Sequence, residues 1–158
     1  MSRRLAACLL ALAPLAAPAA VCRIVSGGSL AFGTYDLLSN APRDSQVNLT
    51  VSCSGSGTPQ ALTLVVAVDP GLHGTPGGFR RMMHTAGTGD ALVYNLYRDP
   101  GRSSAFGMTP GVDTTPVALS VPASGASTVL ITIYARIPPR QDLRVGSYSD
   151  AVQVIINY

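Results

Sequence analysis

The chain has 158 residues, of which 47% are hydrophobic, and it carries 11 basic against 8 acidic side chains. Every basic residue is arginine and every acidic residue is aspartate, so the sequence lacks the lysine and glutamate that favour exposed helix faces. A formal net charge of +3 is too small to indicate a nucleic-acid-binding surface.

The N-terminus has the residue order of a secretory signal peptide. Arg3 and Arg4 precede an apolar run over residues 5–12, which is followed by a stretch of small residues. The best small-x-small cleavage site ends at Ala19. The sequence therefore predicts a signal peptide over residues 1–19.

The mature chain predicted over residues 20–158 has the size of one domain. A lipoprotein signal ending at Cys8 is disfavoured, because its apolar segment would be far shorter than the about 7 to 15 residues required. No later run reaches the roughly 18 apolar residues of a membrane span. The remaining cysteines, Cys22 and Cys53, would form one disulfide in an oxidising compartment, worth about 3 to 4 kcal/mol. Two free thiols are the alternative.

Apolar residues alternate with polar or small ones in one segment after another, which predicts strands with one buried face. Clusters of Gly, Pro and Ser between the segments predict turns. Seven or eight short strands without a helical period predict an all-β, two-sheet sandwich. In chain order the predicted strands cover residues 29–35, 47–53, 62–68, 80–84, 92–98, 117–121, 129–137 and 152–158, the first, fourth, fifth and sixth being the weaker patterns.

The last predicted strand carries an apolar stripe made of Val152, Val154, Ile156 and Tyr158, and it runs to the final residue. A sandwich whose last strand lacks one neighbour exposes a row of backbone donors and an apolar groove. We therefore expect this stripe to line one wall of a groove that another strand must fill.

Several short motifs, in this order and spacing, resemble the spore coat protein U domain, which is also the subunit fold of the archaic chaperone-usher pili of Gram-negative bacteria. The resemblance covers nearly the whole mature chain and implies an immunoglobulin-like Greek-key sandwich that lacks its final strand. The motifs are Cys22 followed by FGTY at 32–35, VSCSG at 51–55, RRM at 80–82, LVYNLYRD at 92–99, YARIP at 134–138 and GSYSDAV at 146–152.

The resemblance also implies partners and a location. A periplasmic chaperone would lend a strand to the groove, and at an outer-membrane usher a strand of a neighbouring pilus subunit would replace it. The product would pass through the periplasm to a fimbrium on the cell surface, and the carboxylate of Tyr158 would be a handle for the chaperone.

One feature departs from a polymerising pilin. Only Ala20 and Val21 precede Cys22 in the predicted mature chain, whereas a donor segment needs about ten or more extended residues at about 3.3 Å each. The chain is thus expected to accept a strand without giving one. That favours a terminal or minor subunit, at the tip, acting in adhesion or biofilm formation.

The sequence offers little for other chemistry. Its two histidines, His73 and His84, match no zinc spacing, and the aspartates are scattered. No nucleophile is accompanied by a base and an orienting group. We therefore predict a protein that is not an enzyme, with no catalytic, metal-binding or cofactor-binding residues.

Four arginines could gather near Tyr94 and Tyr97 and suggest nucleic-acid binding, but a role as solvated edge residues is the stronger interpretation. They are Arg80, Arg81, Arg98 and Arg102.

Long loops rich in Gly, Pro and Ser could form an adhesive tip, with Phe79, Phe106 and Met108 as candidate contacts. Two alternatives stay open, a structural protein of a surface or spore coat and a self-contained secreted binding domain. A self-contained domain would be soluble and monomeric alone.

Overall fold

A computed structural model describes residues 19–55 and 57–158. The predicted signal peptide, apart from Ala19, and the alternative lipidation site at Cys8 lie outside these residues. Within them every regular element is a strand. The nine strands are β1 (Val21–Ser26), β2 (Arg43–Ser54), β3 (Gln60–Val68), β4 (Arg80–His84), β5 (Ala91–Tyr97), β6 (Thr115–Val121), β7 (Ala126–Ile137), β8 (Tyr148–Ser149) and β9 (Val154–Asn157).

The strands form two sheets, one of six strands in the order β1-β2-β7-β5-β4-β8 and one of three strands in the order β6-β3-β9. All pairs are antiparallel. The longest ladder joins β2 to β7, from Arg43 opposite Ile137 to Ser54 opposite Ala126. Strands far apart in sequence are therefore neighbours, and the predicted immunoglobulin-like sandwich is confirmed.

Period-two alternation explains where the core lies. In β2 the side chains of Leu49, Val51 and Cys53 are buried, while Asn48 on the opposite face accepts a hydrogen bond from the Thr132 hydroxyl of β7 at 2.9 Å. The inward residues of β7 and of β3 are buried in the same way. Each strand thus contributes one apolar face to a core between the sheets.

One predicted strand is wrong and two real ones were missed. Residues 29–35 join no ladder, because side chains of β2, and not a neighbouring backbone, are hydrogen-bonded to their carbonyl oxygens. Ser45 Oγ donates to Ala31 O at 2.7 Å, and Arg43 Nε donates to Phe32 O at 2.6 Å. The edge strand beside β2 is instead β1, and β8 is a two-residue strand on β4. The other predicted segments all overlap observed strands.

Among the described residues, no helix has the length and hydrophobicity that crossing a bilayer requires.

Candidate functional site

A cleft of about 500 Å³ opens between the edge strand of each sheet. As strands, β1 pairs with β2 alone and β9 pairs with β3 alone within the described part of the chain. The cleft reaches these two edges at Ile24 of β1 and Val154 of β9, and residues of the segments 27–32 and 148–152 also line it. The two sheets therefore stay open along one side of the sandwich.

The floor of the cleft is the hydrophobic core itself. Leu49, Val68, Tyr94 and Leu96 line it, and each of them is at most 5% exposed. The walls are less buried than the floor, and Ile24 is 40% exposed. Apolar surface left in contact with water is a liability for a free protein.

Three of the four predicted groove residues face the interior, two of them on β9 and Val152 in the segment just before it. Val154 lies opposite Val68 and Ile156 opposite Val66 in the β3–β9 ladder, and both β3 residues are fully buried. Val152, Val154 and Ile156 pack against the core. Val152 and Val154 also line the cleft, whereas Ile156 does not.

Tyr158, the fourth predicted groove residue, is 56% exposed. Its hydroxyl accepts a hydrogen bond from the Cys22 N–H of β1 at 3.2 Å. The side chain therefore bridges from the end of β9 to the start of β1, across one end of the gap.

A disulfide joins Cys22 of β1 to Cys53 of β2 with an S–S distance of 2.08 Å. The two residues are also direct partners in the β1–β2 ladder. The bond ties β1 covalently to β2, in addition to the ladder that pairs five of its six residues, in which a register shift lies between Ile24 and Ser26.

The Asp150 carboxylate holds the segment before β9, which is the other wall of the cleft, and this role was not predicted from the sequence. The Tyr94 hydroxyl donates to Asp150 Oδ2 at 2.7 Å, and the Leu72 and Ala151 N–H groups donate to Asp150 Oδ1 at 3.0 and 2.9 Å. Asp150 presses so closely on Gly71 that a Cβ there would lie 2.2 Å from Oδ2. Asp150 thereby fixes the chain just before Val152. In the sequence, only the position of Asp150 two residues before Val152, the first residue of the apolar stripe, could have indicated this role.

The candidate tip contacts differ in exposure. Phe79 is 58% exposed and Met108 is 47% exposed, but Phe106 is only 1% exposed. The expectation that Phe106 contacts a surface is wrong, because its ring is part of the core and its N–H is tied to Leu96 O at 2.9 Å.

Arg80, one of the four arginines expected to be solvated edge residues, is buried. Arg80 is 4% exposed, because its guanidinium donates to carbonyl oxygens inside the sandwich. It is therefore not a solvated edge residue. Among residues 19–55 and 57–158, no three His, Cys, Asp or Glu side chains group as a metal site would require.

Comparisons with known proteins add a family and a fold. A family model described as the Spore Coat Protein U domain matches residues 7–155. Protein U of Myxococcus xanthus is 31% identical over 140 residues, which cover 84% of this chain and 73% of that protein.

Among solved structures, one chain of the CsuC-CsuE chaperone-tip adhesion subunit pre-assembly complex, from archaic chaperone-usher Csu pili of Acinetobacter baumannii, matches with a TM-score of 0.56 at 19% identity. The match covers 89% of this chain but only 40% of the other, so this chain spans less than half the length of that protein. At this identity the likeness concerns the fold alone.

Proposed function

The chain belongs to the spore coat protein U domain family, as its motifs predicted, and from that premise we propose that it is a strand-accepting structural subunit of a chaperone-usher surface fibre. The family is structural rather than catalytic, which confirms the prediction that the chain is not an enzyme. The observation that carries the proposal is the apolar cleft of about 500 Å³ between β1 and β9.

A strand from another protein would complete both edges of this cleft. Its backbone would supply hydrogen-bond partners to β1 on one side and to β9 on the other, and every second side chain would enter the apolar floor. Val152 and Val154 would form the wall on the β9 side and Ile24 the wall on the β1 side. Backbone bonds would give affinity, and the fit of the side chains would give specificity.

The partners follow from this chemistry. A periplasmic chaperone lends the first strand, an outer-membrane usher receives the complex, and a neighbouring subunit supplies the final strand. The signal peptide over residues 1–19 exports the chain, which passes through the periplasm to a fimbrium. Support for a chaperone partner is that a chain of similar fold was solved in a chaperone–subunit pre-assembly complex.

The position in the fibre is terminal or minor, with a role at the tip. After cleavage behind Ala19, the first residues are engaged within the domain: the Ala20 N–H donates to Gln60 Oε1 at 3.2 Å, and Cys22 is held in the disulfide. They are not free to fill a neighbour's groove. Phe79 and Met108, exposed on two loops, contact the surface in adhesion and biofilm formation.

Co-purification with the chaperone tests the proposal. Val152→Arg places a charge against the groove floor, and burying an unpaired charge costs several kcal/mol, so on the order of a hundredfold less chaperone complex should be recovered. Val145→Arg is the matched control, because Val145 is 94% exposed and lies outside the cleft. It should co-purify like the wild type.

Circular dichroism separates loss of binding from loss of folding. A Val152→Arg chain that keeps the β spectrum and co-purifies as fully as Val145→Arg would contradict the proposal. So would a wild-type chain that is monomeric alone and whose melting temperature does not rise when the chaperone is added, which is the behaviour of a self-contained binding domain.

A surface coat protein is the second candidate function, favoured by the 31% identity to Protein U of Myxococcus xanthus. Such a protein would complete its groove in the same way but would assemble over a cell or spore surface. Electron microscopy of a deletion strain distinguishes the two candidates. Loss of thin surface fibres supports the pilus subunit, and loss of a continuous outer layer supports the coat.

A further inference from the structure

A second cleft, of about 130 Å³, lies between the segment 69–79 that joins β3 to β4 and the segment 98–114 that joins β5 to β6. Its volume is about ten times the roughly 10–15 Å³ that a cavity needs to hold one water molecule. It is smaller than the cleft at β1 and β9 and shares only Val68 with the lining of that cleft. Arg80 lines it.

Arg80 is a buried cation without a carboxylate partner. Its Nε donates to Asp69 O at 2.9 Å, its Nη2 to Val68 O and Phe106 O at 3.1 and 2.8 Å, and its Nη1 to Asn95 Oδ1 at 2.8 Å. One Nη1 hydrogen remains unused. No ion pair engages this guanidinium within the described residues, and burial lowers its pKa from the ordinary value.

Other unused hydrogen-bonding groups line the same cleft. They are the Asn95 amide nitrogen, the hydroxyls of Thr75 and Thr109, and Asp113 Oδ2, none of which has a hydrogen-bond partner in the part of the chain that is described. Asp113 is held in place, because the Thr109 N–H donates to its Oδ1 at 2.6 Å and a Cβ at Gly107 would lie 2.1 Å from Oδ2.

The charges in the cleft select against ions. Arg80 would repel a cation and Asp113 would repel an anion, because both border a space only one small molecule wide. A hydroxyl-rich neutral ligand suits the lining, since each hydroxyl donates and accepts. The walls also include the apolar side chains of Pro76 and Met108, which can contact the C–H face of a ring.

We propose that this cleft binds a single neutral sugar ring, such as a terminal pyranose of a surface polysaccharide. The Asn95 amide and the free Nη1 hydrogen of Arg80 donate to ring hydroxyls, and Asp113 Oδ2 accepts from one. A small cleft that holds one ring gives a dissociation constant on the order of millimolar. The site would add recognition of a sugar to the role in a fibre.

Nuclear magnetic resonance titration of the purified chain tests the site. The probes are the methyl glycosides of glucose, galactose and mannose, with glucuronate as the anionic comparison. We expect at least one glycoside to shift the Asn95 side-chain amide and the Thr75 and Thr109 signals. Absence of shifts with all three glycosides overturns the proposal, and so does tighter binding of glucuronate than of every neutral glycoside.

Asp113→Asn replaces the accepting oxygen by a donor, and should weaken binding roughly tenfold or more. Asp142→Asn is its matched control, since Asp142 is exposed and lies outside the cleft; equal affinity of the two variants would contradict the proposal.

Asn95→Asp keeps the oxygen that Arg80 contacts and adds an ion pair to it, so the melting temperature should not fall. It removes the two amide donors, so glycoside binding should be lost. Retained binding in a folded Asn95→Asp chain would overturn the proposal.

Discussion

Tyr94 is a buried phenol whose hydroxyl donates to Asp150 Oδ2 at 2.7 Å. Burial, and then the bond to the carboxylate, raise the pKa of Tyr94 far above its ordinary value of 10.0. In the unfolded chain the phenol keeps a pKa of about 10. The folded state therefore retains a proton that the unfolded state releases in alkaline solution.

The sign of this difference predicts a pH dependence. The contribution of Tyr94 to stability is fully present below about pH 10, and it is lost as the pH rises above that value. Tyr94→Phe should therefore be less stable than the wild type at pH 8, by about 1 to 3 kcal/mol, and the gap should narrow at pH 11. Thermal melting of both chains at the two pH values measures it. A gap that stays constant would contradict this account of the Tyr94–Asp150 pair.

At this scale the sequence predicted apolar positions better than polar ones. Alternation placed Val152, Val154 and Ile156 on the interior side of the last strand, because a period of two is a local property of the chain. It could not predict that Arg80 is buried, since that depends on carbonyl oxygens of Val68 and Phe106 that only the folded chain brings together.

Arg102 attaches a loop to the outer face of the six-stranded sheet. Its Nε donates to Ala135 O of β7 at 3.1 Å, its Nη2 donates to Ser45 O of β2 at 3.3 Å, and its Nη1 lies 3.2 Å from Asp44 Oδ2. The residue holds a φ of 55°, which L-amino acids seldom adopt. These bonds compensate for that strain and fix the loop after β5.

Arg102→Ala should therefore destabilise the domain by about 1 to 3 kcal/mol, because two partly buried carbonyls and a carboxylate lose a donor. Arg144→Ala is the matched control, since the Arg144 side chain is 74% exposed and its nitrogen lies 3.5 Å from Asp90; it should cost about 0 to 1 kcal/mol. Equal melting temperatures of the two variants would contradict a role for Arg102 in attaching the loop.

At the scale of elements, strands were predictable where buried apolar residues recur at every second position. β2 and β7 alternate over most of their length, β3 is apolar on both faces in its second half as a central strand can be, and all three lie where they were predicted. β1 was missed, because Val21, Ile24 and Val25 stay exposed beside the cleft and follow no buried period. Residues 29–35 alternate like a strand but have side chains, not a neighbouring backbone, as hydrogen-bond partners. Whether a segment pairs with a neighbouring strand thus depends on the tertiary fold, and the alternation of apolar residues along the sequence does not determine it.

The whole molecule is asymmetric, with a six-stranded sheet packed against a three-stranded one. A narrow sheet cannot cover the apolar face of a wider one, and the cleft between β1 and β9 is where coverage ends. The fold class and the groove wall on β9 were predicted from the sequence. The wall on β1 was not, because it is contributed by a strand that alternation did not reveal.

The central claim is that β1 and β9 each have a free edge that another protein's strand fills. Amide hydrogen exchange tests it most directly, on the isolated chain and on its complex with the periplasmic chaperone. The account predicts that those amides of Val21–Ser26 and Val154–Asn157 that point away from β2 and β3 exchange fast in the isolated chain and become protected in the complex, while the centre of the β2–β7 ladder is protected in both. Full protection of both edges in the isolated chain, or no gain in the complex, would contradict it.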